Sequence, residues 1–138
     1  MFIPAGNDFV KGQMRWGTKL ANVLHAFGLE SVVPGHRVYI TDQSDQKTYK
    51  VNVQSDGSIG AITLFAEDGG QAVAQDKNGN VYLAADQVLV FSPEGKLLGR
   101  IDVPERPIDV VFGGADHRTL YILTHASLYA IQTKMPGL

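Results

Sequence analysis

The side chains that can do chemistry are few in this sequence and lie far apart along it. The four histidines are His25, His36, His117 and His125, and no two of them have the spacing of metal ligands. His125 lies two residues before Ser127, a spacing that would let a base activate a nucleophilic hydroxyl. His36 and His117 each precede an apolar run, and we expect both to be exposed turn residues.

The carboxylates give one further candidate. Asp42, Asp45 and Asp68 lie in polar stretches, where solvated turn aspartates are the usual case. Asp109 begins an apolar run and is the best remaining carboxylate for a site. The Gly69-Gly70 and Gly113-Gly114 pairs are not followed by helical patterns, which argues against phosphate-binding loops.

Composition excludes several classes of function. The chain has 138 residues, of which 44% are hydrophobic and 19% charged, as in a soluble globular domain. Its net charge of −2 does not favour a nucleic-acid partner, and no apolar run is long enough to span a membrane. Without cysteine there can be no disulfide or thiolate site. The first residues do not have the pattern of a signal peptide, so we expect a cytoplasmic protein from the sequence as given.

The elements that must position these residues are repeated. Tyr39, Tyr82 and Tyr121 each follow a polar turn and an apolar residue, and each begins a strand–turn–strand pattern. Their period of roughly 40 residues is typical of a four-stranded propeller blade. Asp56-Gly57 and Glu94-Gly95 add hairpin signals. The alternative is an antiparallel sandwich, which does not need one strand order at a fixed period.

The pattern therefore predicts an all-β chain, a partial β-propeller of two to three four-stranded antiparallel blades at residues 34–138. Residues 1–33 are expected to form a separate irregular segment with one helix, predicted at 18–27. Its apolar face would comprise Leu20, Val23, Leu24 and Phe27. A competing interpretation makes 27–32 an inner strand of the first blade.

Several short motifs fill the last half of the chain. They are Asp76–Tyr82, Val90–Gly99, Val111–Asp116 and Ser127–Tyr129. The most specific is a Phe-Gly-Gly that follows a Val-Pro-Glu-x-Pro connector, Val103–Pro107. In these motifs the chain resembles the senescence marker protein/gluconolactonase/strictosidine synthase-like family of six-bladed propellers.

The resemblance implies a lactone hydrolase with one divalent cation, calcium or zinc, in a central channel. By that resemblance a ligand aspartate of the family corresponds to Gln71, and a ligand asparagine corresponds, in a weaker register, to Phe27. Neither an amide nor a phenyl ring replaces such an oxygen donor well. The resemblance also makes Ser127 a structural serine. It leaves Gln71, Asp109 and His125 as channel-facing candidates, and no residue can be named as catalytic.

Two functions stay open. The first is a gluconolactonase-like hydrolase of lactones or esters, incomplete as an isolated chain. The second is a non-catalytic propeller module that completes a partner or associates with itself. Because three blades leave two faces and a strand edge open, we expect a head-to-tail homodimer, or pairing with missing N-terminal blades. The N-terminal helix is a rival cover for one open face.

Overall fold

The computed structural model describes residues 37–138, and these residues contain ten β-strands and no helix. The strands are β1 Arg37–Asp42, β2 Lys47–Val53, β3 Ile59–Ala66, β4 Ala72–Gln75, β5 Val81–Ala84, β6 Val88–Phe91, β7 Leu97–Ile101, β8 Pro107–Gly113, β9 Thr119–Thr124 and β10 Leu128–Gln132. The predicted all-β fold is confirmed for this part of the chain. The helix predicted at 18–27, and Phe27 with it, lies outside the described residues.

The strands form three sheets. Sheet A has the order β1-β2-β3, sheet B the order β4-β5-β6-β7, and sheet C the order β10-β9-β8. All strand pairs in sheets B and C are antiparallel. The three repeated tyrosines lie on β1, β5 and β9, which in each case pair with the next strand along the chain.

Glycine allows two of the predicted hairpins to turn. Gly57 and Gly95 have φ angles of 88° and 92°, a left-handed conformation that side chains with a Cβ avoid. A Cβ on Gly95 would also lie 2.6 Å from the Phe65 carbonyl oxygen. The Asp-Gly and Glu-Gly signals in the sequence therefore identified real turns.

The described residues divide into two compact units. One comprises residues 37–40 with Tyr49–Thr63, and the other comprises Thr41–Thr48 with Leu64–Leu138. In the first, Val38, Val51 and Val53 form a small buried cluster. The larger unit holds the main core, in which sheets B and C pack face to face. Within it the Tyr82 and Phe112 rings meet edge to face with centroids 5.2 Å apart.

Contacts at both ends of the strands align sheets B and C. Gly137 bridges to Asp76, just after β4, and its amide donates to the carbonyl of His117 in the β8–β9 turn. The ends of β4 and β8 are therefore close together. At the opposite end, the amide of Val103, in the segment leading to β8, donates to Gln87 Oε1 in the β5–β6 turn at 2.5 Å. Both strands thus start at one common edge, which we call the start edge.

No helix in the described residues is long and apolar enough to cross a membrane.

Candidate functional site at the start edge

The three candidate residues lie at the start edge. Gln71 immediately precedes β4, Asp109 is the third residue of β8, and His125 immediately follows β9. Asp109 is paired across the sheet with Leu123, two residues before His125. Gln71, Asp109 and His125 therefore lie at the same edge of two packed sheets, although they span 55 positions of the sequence, from 71 to 125.

Close backbone packing sets the position of Gln71. A Cβ on Gly69 would overlap the Asp42 carbonyl oxygen, and one on Gly70 would overlap the Ala84 carbonyl oxygen. Only glycine fits at such approaches. The amide of Gly70 donates to Thr41 Oγ1 at 2.8 Å, and the amide of Gln71 donates to the Ala84 carbonyl at 2.8 Å.

The Gln71 side chain is exposed and contacts a second amide. Its Nε2 donates to Gln43 Oε1 at 3.1 Å. Gln43 lies in the β1–β2 turn, so the pair joins two loops that are 28 residues apart. Two side-chain amides together offer both donors and acceptors, which suits the hydroxyl and carbonyl groups of a neutral polar ligand.

Asp109 is the carboxylate of the site. The Asp109 residue as a whole is exposed to solvent. Protein atoms nevertheless surround part of its carboxyl group, and this partial burial raises the pKa of the carboxyl above the ordinary value of 3.8. The Val110 amide donates to Oδ1 at 2.8 Å and opposes that rise in pKa. A carboxylate with a raised pKa binds a proton more readily than an ordinary aspartate does.

His125 and Ser127 do not form a nucleophile–base pair. The Ser127 hydroxyl donates instead to Glu105 Oε2 at 2.7 Å, and His125 is exposed in the β9–β10 turn. The structural role expected for Ser127 agrees with this geometry. His117 is also exposed, as expected, and adopts a left-handed φ of 61° in its turn.

Glu105 organises this turn, although it is not among the predicted site residues. Its carboxylate accepts hydrogen bonds from Thr124 Oγ1 at 2.9 Å, from Ser127 Oγ at 2.7 Å and from the Tyr129 hydroxyl at 2.7 Å. The bonds from Tyr129, Ser127 and Thr124, in that order of effect, lower the pKa of Glu105. A carboxylate held in its charged form fixes the hairpin that carries His125. The signal was present, since Glu105 belongs to the Val-Pro-Glu-x-Pro connector.

The residues that the structure describes do not by themselves form the divalent-cation site that the family resemblance implies. Between residues 37 and 138 no three His, Asp or Glu side chains gather closely enough to hold a metal ion. Gln71, at the family's aspartate position, directs its amide nitrogen to Gln43. A hard cation binds through several oxygen donors, among which carboxylates are the strongest.

Comparisons with known proteins agree with this fold. The family model described as SMP-30/Gluconolactonase/LRE-like region matches residues 23–126. A 6-deoxy-6-sulfogluconolactonase from Pseudomonas putida is 36% identical over 94 residues, which cover 61% of this chain and 32% of that protein. The chain thus spans about a third of the length of this relative.

Solved structures give the same picture. A putative gluconolactonase is 25% identical with a TM-score of 0.69, and the match covers 77% of this chain and 38% of that one. Regucalcin from Agrobacterium tumefaciens, described as a calcium-binding protein, is 16% identical with a TM-score of 0.66, over 74% of this chain and 43% of that one. The second likeness supports the fold alone.

Proposed function

The chain belongs to the SMP-30/gluconolactonase/LRE-like family, and from this membership we propose that it forms part of a lactone hydrolase. The observation that carries the proposal is the 36% identity to a 6-deoxy-6-sulfogluconolactonase. We infer that the substrate is a small sugar-derived lactone or a related ester. Because the chain covers only 32% of that relative, the activity is proposed for the assembled protein as well as for the chain.

Lactone hydrolysis requires a base and a means of holding a polar ring. Water attacks the ring carbonyl and loses a proton to the base. The ring C–O bond then breaks, and the protonated base returns the proton to the leaving ring oxygen, which gives a hydroxy acid. We assign the base to Asp109, because it is a carboxylate at the start edge and burial raises its pKa toward the range of a useful general base. Gln71 and Gln43 would bind the hydroxyl groups of the substrate.

In the proposed reaction, residues of this chain bind the substrate and move the proton without a bound cation. No three His, Asp or Glu side chains gather among residues 37–138, and an amide occupies the position that corresponds to a carboxylate of the family. We therefore propose that this chain contributes residues that bind the substrate and move a proton, but no metal ligands.

The experiment measures proton release during hydrolysis of a δ-aldonolactone by the purified chain, with a chelator and then with added calcium, manganese or zinc. We expect a rate above that of the uncatalysed reaction in chelator, and little gain on adding a cation. Dependence of the whole rate on one cation would contradict the assignment of the chemistry to Asp109.

The second candidate function is a non-catalytic interaction module, and one observation favours it. Val111, Leu123 and Leu128 on sheet C are 56%, 42% and 65% exposed, which leaves apolar surface on one face of that sheet. If no lactone is hydrolysed with any of the three cations, the interaction module becomes the better account.

A further inference from the structure

The connector Val103–Pro107 joins sheet B to the first strand of sheet C and runs along the start edge. Both of its ends are buried, since Val103 is 7% exposed and Pro107 is less than 2% exposed. Between them Pro104 and Arg106 are exposed and Glu105 is half-buried. The core therefore holds the connector at two points, and its polar groups remain available to contact the neighbouring turns.

On one side the connector is bound to the β9–β10 turn of sheet C. Glu105 accepts hydrogen bonds from the side chains of Thr124, Ser127 and Tyr129. The turn is also closed from within, because the Thr124 amide donates to the Ser127 carbonyl at 2.9 Å and the Ser127 amide donates to Thr124 Oγ1 at 3.0 Å. Hydrogen bonds to a charged acceptor are stronger than neutral ones. The turn that carries His125 therefore follows the position of the connector.

On the other side a neutral hydrogen bond holds the connector to sheet B. The Val103 amide donates to Gln87 Oε1 at 2.5 Å. An ion pair between Arg106 and Asp86 at 3.1 Å also crosses here, but the two side chains are 49% and 89% exposed, so solvent screens their attraction. Among the described residues, Gln87 thus provides the main polar contact between the connector and sheet B.

The turn that contains Gln87 also holds the start of β4. The Gln71 amide donates to the Ala84 carbonyl at 2.8 Å, and the Ala85 amide donates to the Gln87 carbonyl at 3.0 Å. Gly70 approaches the same Ala84 carbonyl so closely that a Cβ would overlap its oxygen. A continuous series of hydrogen bonds and short backbone segments therefore runs from Gln71 through Gln87 to the connector.

The connector also influences the direction of Asp109. In sheet C, Asp109 pairs with Leu123 and Pro107 pairs with Thr124, and the register shifts between these two pairs. The shift leaves Ile108 as an extra residue of β8, and such bulges redirect the side chains beside them. Because regular pairing is interrupted directly before Asp109, the position of its carboxyl depends on how the connector holds Pro107.

We propose that Gln87 is a positioning residue of the start edge. Through its hydrogen bond to Val103 it holds the connector, and it thereby fixes the separation between Gln71, which binds the substrate, and Asp109, which accepts the proton of water. This role rests on the proposed function and adds to it a residue that touches neither the substrate nor the reacting atoms. A displacement of about 1 Å in such a site can slow a reaction about 10²-fold.

Gln87→Met tests this role, because methionine keeps the length of the side chain and removes the oxygen acceptor. We expect kcat for hydrolysis of a δ-aldonolactone to fall about 10-fold or more, with KM changed less than about twofold, since Gln71 and Gln43 are unaltered. Gln87→Glu retains an acceptor oxygen and should restore most of kcat. Gln132→Ala is the matched control. It removes a glutamine hydrogen bond, to Thr119 Oγ1 at 2.8 Å, at the opposite end of sheet C, and should keep the wild-type rate.

Amide hydrogen exchange of the same variants measures the coupling without any hydrolysis. In Gln87→Met the amides of Thr124 and Ser127 should exchange faster together with that of Val103, because the loosened connector no longer holds their turn. Gln87→Glu and Gln132→Ala should show the wild-type exchange at all three amides. Melting curves identify any failure to fold, and Gln87→Asn, whose shorter side chain draws the acceptor away from Val103, replaces Gln87→Met in that case.

The outcomes separate this proposal from the proposed function. A wild-type kcat in Gln87→Met, or faster exchange confined to Val103, would overturn the positioning role while leaving lactone hydrolysis in place. A wild-type chain that hydrolyses no lactone would contradict the proposed function, and exchange at Thr124 and Ser127 would then decide alone whether Gln87 holds the two sides of the start edge together.

Discussion

The Tyr82 hydroxyl donates a hydrogen bond at 3.2 Å to the carboxylate of Asp76, which is 1% exposed. Three further donors complete the site: the amides of Asn78 and Asn80 at 2.9 and 3.0 Å, and Asn80 Nδ2 at 2.9 Å. Burial, followed by the charge of Asp76 and this hydrogen bond, raises the pKa of Tyr82 to about 12. Asp76 therefore fixes the turn between β4 and β5 from within the core.

We predict that Asp76→Ala is strongly destabilising, because it leaves buried donors without an acceptor. The expected loss is about 3 kcal/mol or more in the free energy of unfolding, measured by denaturant titration. Asp116→Ala is the control, since Asp116 is exposed and accepts one hydrogen bond, from the Arg118 amide. Equal losses for the two variants would show that the Asp76 contacts do not stabilise the turn.

The C-terminal residues close the same region. Gly137 lies against the Phe112 ring, where an added Cβ would overlap the Phe112 side chain. We predict that Gly137→Ala costs about 1–3 kcal/mol in the free energy of unfolding, as overpacking does. Gly99→Ala is the matched control, since nothing lies within 4 Å of a Cβ there, and it should be nearly neutral. The prediction fails if the alanine at 137 is as well tolerated as that at 99.

Acid should weaken the hairpin that carries His125. The pKa of Glu105 is lowered from its ordinary value of 4.5 in the folded chain, so the unfolded chain binds the proton first. This contribution to stability is present above about pH 4.5 and is lost as the pH falls through the lowered folded pKa. Melting temperatures between about pH 6 and pH 3 should fall less steeply for Glu105→Gln than for the wild type. Glu94→Gln, an exposed control in the β6–β7 turn, should retain the wild-type slope.

The repeated strands could be predicted from sequence because their signals are local. Each of Tyr39, Tyr82 and Tyr121 lies next to its own turn, and Gly57 and Gly95 identify hairpins by their conformational needs alone. The acceptor role of Glu105 could not be predicted in this way, because its donors are 19, 22 and 24 residues away and meet it only after β9 and β10 have paired.

The Gln71–Gln43 contact was missed for the same reason, since it joins turns of different sheets. The family resemblance predicts that Gln71 occupies the position of a ligand aspartate. It does not predict that the Gln71 side chain contacts Gln43. The open face of sheet C was expected in general terms. Its residues follow only from the strand register, because a shift of one residue would expose the opposite set.

Calcium, manganese and zinc should bind weakly or not at all at the Gln71 position. A neutral amide bonded to Gln43 replaces a charged ligand there, and no cluster of three acidic or histidine side chains lies between residues 37 and 138. Calorimetric titration of the full chain measures this. Tight one-to-one binding that is lost in Gln71→Ala and kept in Gln54→Ala, a control in an exposed turn, would contradict the prediction.

The pH dependence of lactone hydrolysis, compared between the wild type and Asp109→Asn, tests the central claim most directly. Because burial raises the pKa of Asp109, kcat/KM of the wild type should rise with pH through a midpoint above 3.8. Asp109→Asn should lower kcat/KM about 10²-fold or more and abolish that rise, while Asp102→Asn, at an exposed ion pair with Arg100, should leave both unchanged. An Asp109→Asn variant with the rate and pH profile of the wild type would contradict the account.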